Sequence, residues 1–266
     1  MTKRWIKIII LFILIIIIII GGWFMYSSID YNKRSYSTNI FDRVPSDAIE
    51  VFNINKESRL NELSVYDTLY EDYAKLLPDE FSSPFILCKD SNENIILLAK
   101  MRKDEESKIK EHIEKNISLS YKPVTKTYSG TELSLYPLAN DHFLVCSFDQ
   151  GIFAASRRLK LIEKYIDTDS TRLFFADVHN DNIFHKKILN SPIGMFVKED
   201  NDILAFDFRA ENDTIILNGY IGPTDSTKNE LIPYKMKIPK NLCIDKYEIS
   251  VENKTAAIQI ILNKMY

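Results

Sequence analysis

Apolar and polar positions divide this chain into two unlike parts. Thirteen apolar residues run without a break from Ile8 to Ile20, and no charge occurs between Lys7 and Asp30. A bilayer core about 30 Å thick takes roughly 20 helical residues to cross. Ile6 to Tyr26 supplies 21 positions with Lys7 alone charged, and a lysine at the edge can extend its ammonium to the interface. In lipid the backbone must satisfy its own hydrogen bonds, so the run is expected to be helical despite the low helix propensity of isoleucine. Trp5 stands at one end, with Trp23 and Tyr26 at the other. At 1.5 Å per residue the two tryptophans lie roughly 27 Å apart, a separation that suits an aromatic belt at each interface. Ile8, Leu11, Phe12, Leu14, Ile17, Ile20 and Trp23 are the expected lipid contacts.

Two other readings compete for this stretch. A buried core helix does not need so uniform an isoleucine surface. A cleavable signal peptide ends its apolar region at a small-x-small site, whereas Gly21-Gly22 is followed by Trp23, Phe24 and Met25. An uncleaved anchor over residues 1–26 fits better. Lys3, Arg4 and Lys7 precede the span with no acid among them, while Lys33, Arg34 and Arg43 after it are diluted by Asp30 and Asp42. Positive charge nearest the membrane stays cytoplasmic, so the N-terminus is expected inside and the bulk of the chain extracytoplasmic, periplasmic or at the cell surface.

The rest of the chain switches between periods of two and of three to four. Residues 27–43 are polar without clear periodicity and are expected to form a stalk. Ala48–Ile54 alternates as a strand. Leu60, Leu63, Tyr66, Leu69, Tyr70, Tyr73 and Leu76 recur at helical spacing, predicting a helix over 57–77 that ends at Pro78 and packs its tyrosine stripe on a sheet. A hairpin follows at 85–89 and 94–101, then a charged helix at 103–116 whose His112 is expected exposed and idle. Strands are predicted at 123–128, 133–138, 142–148 and 151–155. The last of these runs into a helix capped by Ser156. A second strand–helix–hairpin is predicted over 172–210, echoing the order at 48–101 and suggesting a distant internal duplication. Further strands are expected at 214–221, 242–251 and 256–262.

Composition narrows the function classes. All 37 acids follow the anchor, with 31 of the 34 Lys and Arg, leaving the exported part near −6. Nucleic-acid binding needs a clustered basic face and is not expected. Cys88, Cys146 and Cys243 are widely spaced without a CxxC, which disfavours zinc and thioredoxin-like sites. Cys88 and Cys146 read as small core residues, with a Cys88–Cys146 disulfide as the remaining alternative. With seven glycines and neither GxGxxG nor a Walker loop, a phosphate cradle of that kind is excluded.

The densest group of potential ligands is Asp177, His179 and Asp181, which alternation places on one side of an extended segment. A metal or a general base is conceivable there, yet a polar turn with Asp181 as helix N-cap explains the same residues. Ser156 lacks the flanking glycines of a nucleophile elbow. Arg157-Arg158 opens a helix, where it either meets an anion or faces water. No cofactor is expected, and the site expectation is that no residue is catalytic, cofactor-binding or metal-binding.

Three short motifs carry a resemblance: Val44-Pro-Ser-Asp-Ala48 opening a strand, Gly151-Ile-Phe-Ala-Ala-Ser156-Arg-Arg-Leu joining strand to helix, and Ile215-Ile-Leu-Asn-Gly-Tyr220. Over residues 44–222 the chain resembles an uncharacterised bacterial family of membrane-anchored proteins, a domain of unknown function. The resemblance implies no chemistry.

Together these patterns predict an α+β domain, an antiparallel sheet with helices packed on one face, behind one transmembrane helix. The expected divisions are the anchor 1–26, a stalk 27–43, a domain 44–222 with halves 44–170 and 171–222, and a strand-rich extension 223–266. The expected role is a non-enzymatic binding or scaffolding module of the cell envelope. Its expected partners are the lipid bilayer, through the N-terminal helix, and an unidentified envelope component. The alternatives are a metal-dependent or hydrolytic enzyme centred on Asp177 and His179, and the same module facing the cytoplasm.

Overall fold

The structure, a computed structural model, describes residues 12–23, 25–26, 36–55, 61–81, 84–119, 122–167, 187–199, 202–221, 238–252 and 255–265. Among these residues twelve strands form one antiparallel sheet. They are β1 (Ala48–Ile54), β2 (Phe85–Asp90), β3 (Ile95–Lys100), β4 (Val124–Tyr128), β5 (Thr131–Pro137), β6 (Phe143–Asp149), β7 (Ile152–Ser156), β8 (Ile193–Glu199), β9 (Asp202–Glu211), β10 (Thr214–Ile221), β11 (Leu242–Glu252) and β12 (Thr255–Lys264). Their spatial order is β11-β12-β10-β9-β8-β1-β2-β3-β7-β6-β5-β4. The last two strands therefore join the same sheet, β12 pairing along β10 from Thr214–Asn263 to Ile221–Ala256.

Strand β1 lies at the centre, between β2 and β8. The sheet runs outward from it in two meanders, β1-β2-β3 one way and β8-β9-β10 the other. Tight turns make the outer hairpins. Ser129 and Gly130 are both at positive φ between β4 and β5, and Gln150 and Gly151 likewise between β6 and β7, as two-residue hairpin turns require. The two edges are guarded. β4 is short, exposed along most of its length and carries Lys126. β11 is interrupted by a bulge between Ile244 and Lys246. A charge or a bulge on an edge strand discourages pairing with another chain.

The central strands are buried on both faces, and this decides where the helices go. β3 and β7 are almost wholly buried, as is β2 apart from Lys89. A sheet apolar on both sides needs cover on both sides. The front face carries Phe52, Leu87, Leu97, Phe206, Leu217 and Ile260. It is covered by α1 (Asn61–Tyr66), α2 (Thr68–Ala74) and α3 (Glu105–Asn116), which bury Tyr66, Tyr70, Ile109 and Ile113. The back face carries Val51, Cys88, Leu98, Ala154, Phe196 and Ala205. It receives α4 (Leu159–Ile166), through Leu161, Ile162 and Tyr165, and a 3-10 turn at Ile40–Arg43. The expectation of helices on one face is corrected accordingly. The strands alternate in direction but not in polarity.

Four other expectations change. The tyrosine-bearing helix breaks at Asp67, whose side chain accepts a hydrogen bond from Leu69 N and caps α2. Ser156 does not cap a helix. It is the buried last residue of β7, donating from Oγ to Ile95 O at 2.7 Å and accepting from Arg158 N at 3.1 Å, and Arg158 takes the N-cap position of α4. His112 is exposed but engaged, with Nε2 3.0 Å from Lys75 O and Nδ1 3.1 Å from Asn116 Nδ2, tying α3 to the end of α2. Cys88 and Cys146 belong to opposite faces of the sheet and are separated by β3 and β7. Three strand spacings come to roughly 14 Å, far beyond disulfide reach, so that alternative falls away.

The described part of the expected stalk lies folded on the domain. Ile40 and Val44 are buried in the back-face core. Thr38 Oγ1 donates to Gln150 O at 2.9 Å, and Arg43 Nη2 donates to Gln150 Oε1 at 2.7 Å. The Tyr36 ring lies where a Cβ on Gly151 would stand, so only glycine admits it there. Farther toward the N-terminus, residues 12–23 are helical, as are residues 25–26. Among the described residues no helix is long and apolar enough to cross a membrane. Ile8 and Leu11 of the expected lipid-facing set lie outside the described residues, and Phe12, Leu14, Ile17, Ile20 and Trp23 lie within them, all exposed. The strand expected at 173–178 and most of the helix expected at 182–189 also lie outside them, with residues 187–189 helical.

Candidate functional site

The groups best placed for chemistry gather at the end of the sheet where β1 begins and β2 meets β3, against α1 and α2. Glu50 lies on the front face of β1, across from Lys89 of β2. A carboxylate there would be costly without partners. Tyr66 OH donates to Glu50 Oε2 at 2.6 Å, and Tyr70 OH donates to Oε1. The two tyrosines sit on successive helices whose capping residue, Asp67, also receives Lys89 Nζ at 3.4 Å. Phe52 and Phe208 meet the Tyr66 ring edge-on at centroid distances of 5.4 and 5.9 Å, and Phe52 meets Tyr70 in the same way at 5.0 Å. Glu50 is 5% exposed. Burial pushes its carboxyl above the ordinary range, opposed by the Lys89 charge and the two hydroxyl donors. Burial and the adjacent Glu50 likewise push both phenols well up, so they stay protonated donors.

This cluster closes on itself. Both carboxylate oxygens are occupied by buried phenols, and the aromatic rings exclude water. It fastens α1 and α2 to the central strand.

Beside it lies an open groove of ≈ 240 Å³, lined by Leu69, Tyr73, Asn94, His142, Arg157 and Arg158, with Glu93 and Ile95 completing the wall. Asp90 accepts from the backbone of Asn92 and Asn94 at 2.9 Å each and from Asn94 Nδ2 at 3.1 and 3.2 Å. Burial raises the Asp90 carboxyl, but these donors and the Lys164 charge outweigh it and hold the group below its ordinary range. Asn94 Oδ1 in turn accepts from Arg158 Nε at 3.1 Å. Arg157 N donates to Tyr73 OH at 3.0 Å, its guanidinium lies 5.8 Å from the Tyr73 ring centre, and Nη2 stands 3.6 Å from Asp72 Oδ2.

A larger concavity of ≈ 530 Å³ opens on the back face over β10, β12 and β11, lined by Asn218, Glu248, Ser250 and Gln259. Its amides pair internally, Gln259 Nε2 donating to Asn218 Oδ1 at 2.7 Å.

Asp177, His179 and Asp181 lie outside the described residues, so the structure neither joins nor separates them. Among the described residues no group of three His, Cys, Asp or Glu side chains could hold a metal ion. Glu50 was missed in the sequence because a lone acid in an alternating strand reads as solvent-facing. Tyr66 and Tyr70 at four-residue spacing were the available hint.

No protein-family model matches the chain, and no curated protein matches it. Among solved structures the chain is similar to crystal form I of TP0453, with a TM-score of 0.47 and 10% identity over 86% of this chain and 94% of that one. Form IV of the same protein gives 0.43 and 10% over 85% and 94%. Likeness at this level transfers no residue role.

Proposed function

We propose that this chain is a membrane-tethered, non-catalytic binding or scaffolding module, whose N-terminal helix sits in the bilayer and presents the twelve-stranded domain on the extracytoplasmic side. One observation carries the reading. Every residue from Phe12 to Ile20 is 45–67% exposed, an uninterrupted apolar surface that the domain leaves uncovered. A patch of that kind calls for an apolar phase, and the tryptophans and basic residues around it suit a bilayer boundary. The Glu50 cluster is read as structural, since both carboxylate oxygens already accept from buried phenols. Fractionation of cells making the full chain tests the tether. The protein is expected in the membrane pellet after an alkaline wash, released by detergent, and moved to the supernatant by deletion of residues 8–20. Recovery of the full chain in the soluble fraction would overturn the proposal. Protease treatment of intact cells tests the orientation, and survival of the domain while cytoplasmic markers also survive would place it inside.

A further inference from the structure

We propose that the groove between α2 and the start of α4 is a binding site for a phosphate monoester, held by Arg157 and Arg158. Two guanidiniums are mounted for this role independently of the tether. Arg158 is exposed, yet its direction is fixed through a relay: Asp90 orders Asn94, and Asn94 Oδ1 holds Arg158 Nε at 3.1 Å. An amide rather than a carboxylate does the holding, so no carboxylate compensates the guanidinium there, and among the described residues its terminal nitrogens hold no hydrogen bond.

Arg157 is fixed by a different device. Its backbone amide is anchored on the Tyr73 hydroxyl and its guanidinium lies over the Tyr73 ring. The nearest acid, Asp72, is 3.6 Å away and half-exposed, a loose pair that contributes little. Both cations stand at the N-terminal end of α4, whose N-cap makes no side-chain hydrogen bond to the helix. Two positive side chains oppose the dipole at that end. Both arginines line the groove, and an anion seated there offsets their unfavourable charge at this end of the helix.

The charge and size select the ligand. A phosphate monoester carries about −1.5 to −2 at neutral pH and offers three strong acceptor oxygens, matching two guanidiniums better than a single carboxylate would. The groove's ≈ 240 Å³ is a terminal group's space, below the roughly 300–1,000 Å³ of pockets that enclose a whole drug-sized ligand. Leu69 and Tyr73 supply an apolar wall for the carbon chain next to the phosphate, and His142 also lines the groove. Glu93 also lines the groove and Asp72 borders it. They disfavour more highly charged polyanions.

The test is calorimetric titration of the detergent-solubilised full chain with glycerol 3-phosphate, with inorganic phosphate and acetate as comparators. Saturable binding of both phosphates and none of acetate is expected. Arg158→Ala should weaken binding at least about tenfold, the loss expected for a hydrogen bond to a charged group. Asn94→Asp places a competing carboxylate on Arg158 and should weaken it comparably, whereas Arg158→Lys should retain part of it. Circular dichroism identifies any variant that has lost its fold, and Arg157→Ala then serves in its place. Absence of saturable phosphate binding, equal binding of acetate, or wild-type affinity in folded Arg158→Ala and Arg157→Ala would each overturn the proposal.

Discussion

Glu50→Ala is expected to destabilise the domain by about 3 kcal/mol, although it removes a buried acid. The substitution strips the acceptor from Tyr66 OH and Tyr70 OH, both buried. A buried donor left without a partner costs about 1–3 kcal/mol, so two come to about 2–6 kcal/mol. Relief of the buried carboxyl offsets part of that. Glu50→Gln keeps one acceptor oxygen and puts a donor amide against the other phenol, so it should cost about 1–3 kcal/mol at neutral pH, less than Glu50→Ala. The triple variant Glu50→Leu, Tyr66→Phe, Tyr70→Phe removes donors and acceptor together and should lie within about 1 kcal/mol of wild type, as replacements of whole buried polar groups often do. Because Glu50 is pushed up in the folded state, its proton is held more tightly there than in the unfolded chain. Its contribution is therefore present at acid pH and lost as pH rises through the folded value. Wild type should lose stability relative to Glu50→Gln over that rise. Urea unfolding of the full chain in detergent, followed by far-UV circular dichroism, measures all of this. Tryptophan fluorescence would not serve, since Trp5 and Trp23 both lie in the N-terminal segment. Wild-type stability in Glu50→Ala at neutral pH would refute the reasoning.

Two further predictions concern packing. A Cβ on Gly219 would stand 2.4 Å from the Phe206 ring and 2.7 Å from Ala205 O, so Gly219→Ala should cost about 1–3 kcal/mol by overpacking. Phe206→Leu should recover part of that loss, read by the same unfolding assay. Cys243 alone among the cysteines is exposed, and burial holds the Cys88 and Cys146 thiols well up. A thiol reagent should therefore label one cysteine in the folded chain and three in denaturant, and oxidation should form no Cys88–Cys146 bridge.

Much of the sheet was legible in the sequence because strands and their turns are local. The runs at 85–89 and 94–101 became β2 and β3, and the short strands from 123 to 155 became β4 to β7 with their boundaries moved by one or two residues. What the residues hid was non-local. Nothing in AIEVFNI names β8 as its second neighbour, since β1 and β8 lie far apart in the chain and meet only through the completed topology. Helices on both faces were implied by the unbroken apolar runs of β2 and β3, whereas the antiparallel hairpins pointed to cover on one face. Ser156 looked like a cap because serine caps helices, and the two residues between it and α4 were invisible to that rule. Glu50 and Asn53 are both buried although they face opposite sides of β1. Burial of a polar residue depends on partners contributed by distant elements, here Tyr66 and Tyr70 for one and Leu189 O for the other.

The central position of β1 has a cost during synthesis. Its partner β8 lies roughly 150 residues downstream, which at 5–20 residues per second leaves a wait on the order of ten seconds. For that interval one flank of Val51, Phe52 and Ile54 stands open as a bare hydrogen-bonding edge, ready to capture whatever extended chain comes by. Aggregation of nascent protein should begin there, and a ribosome-associated or export chaperone that shields residues 48–54 would be the most effective guard.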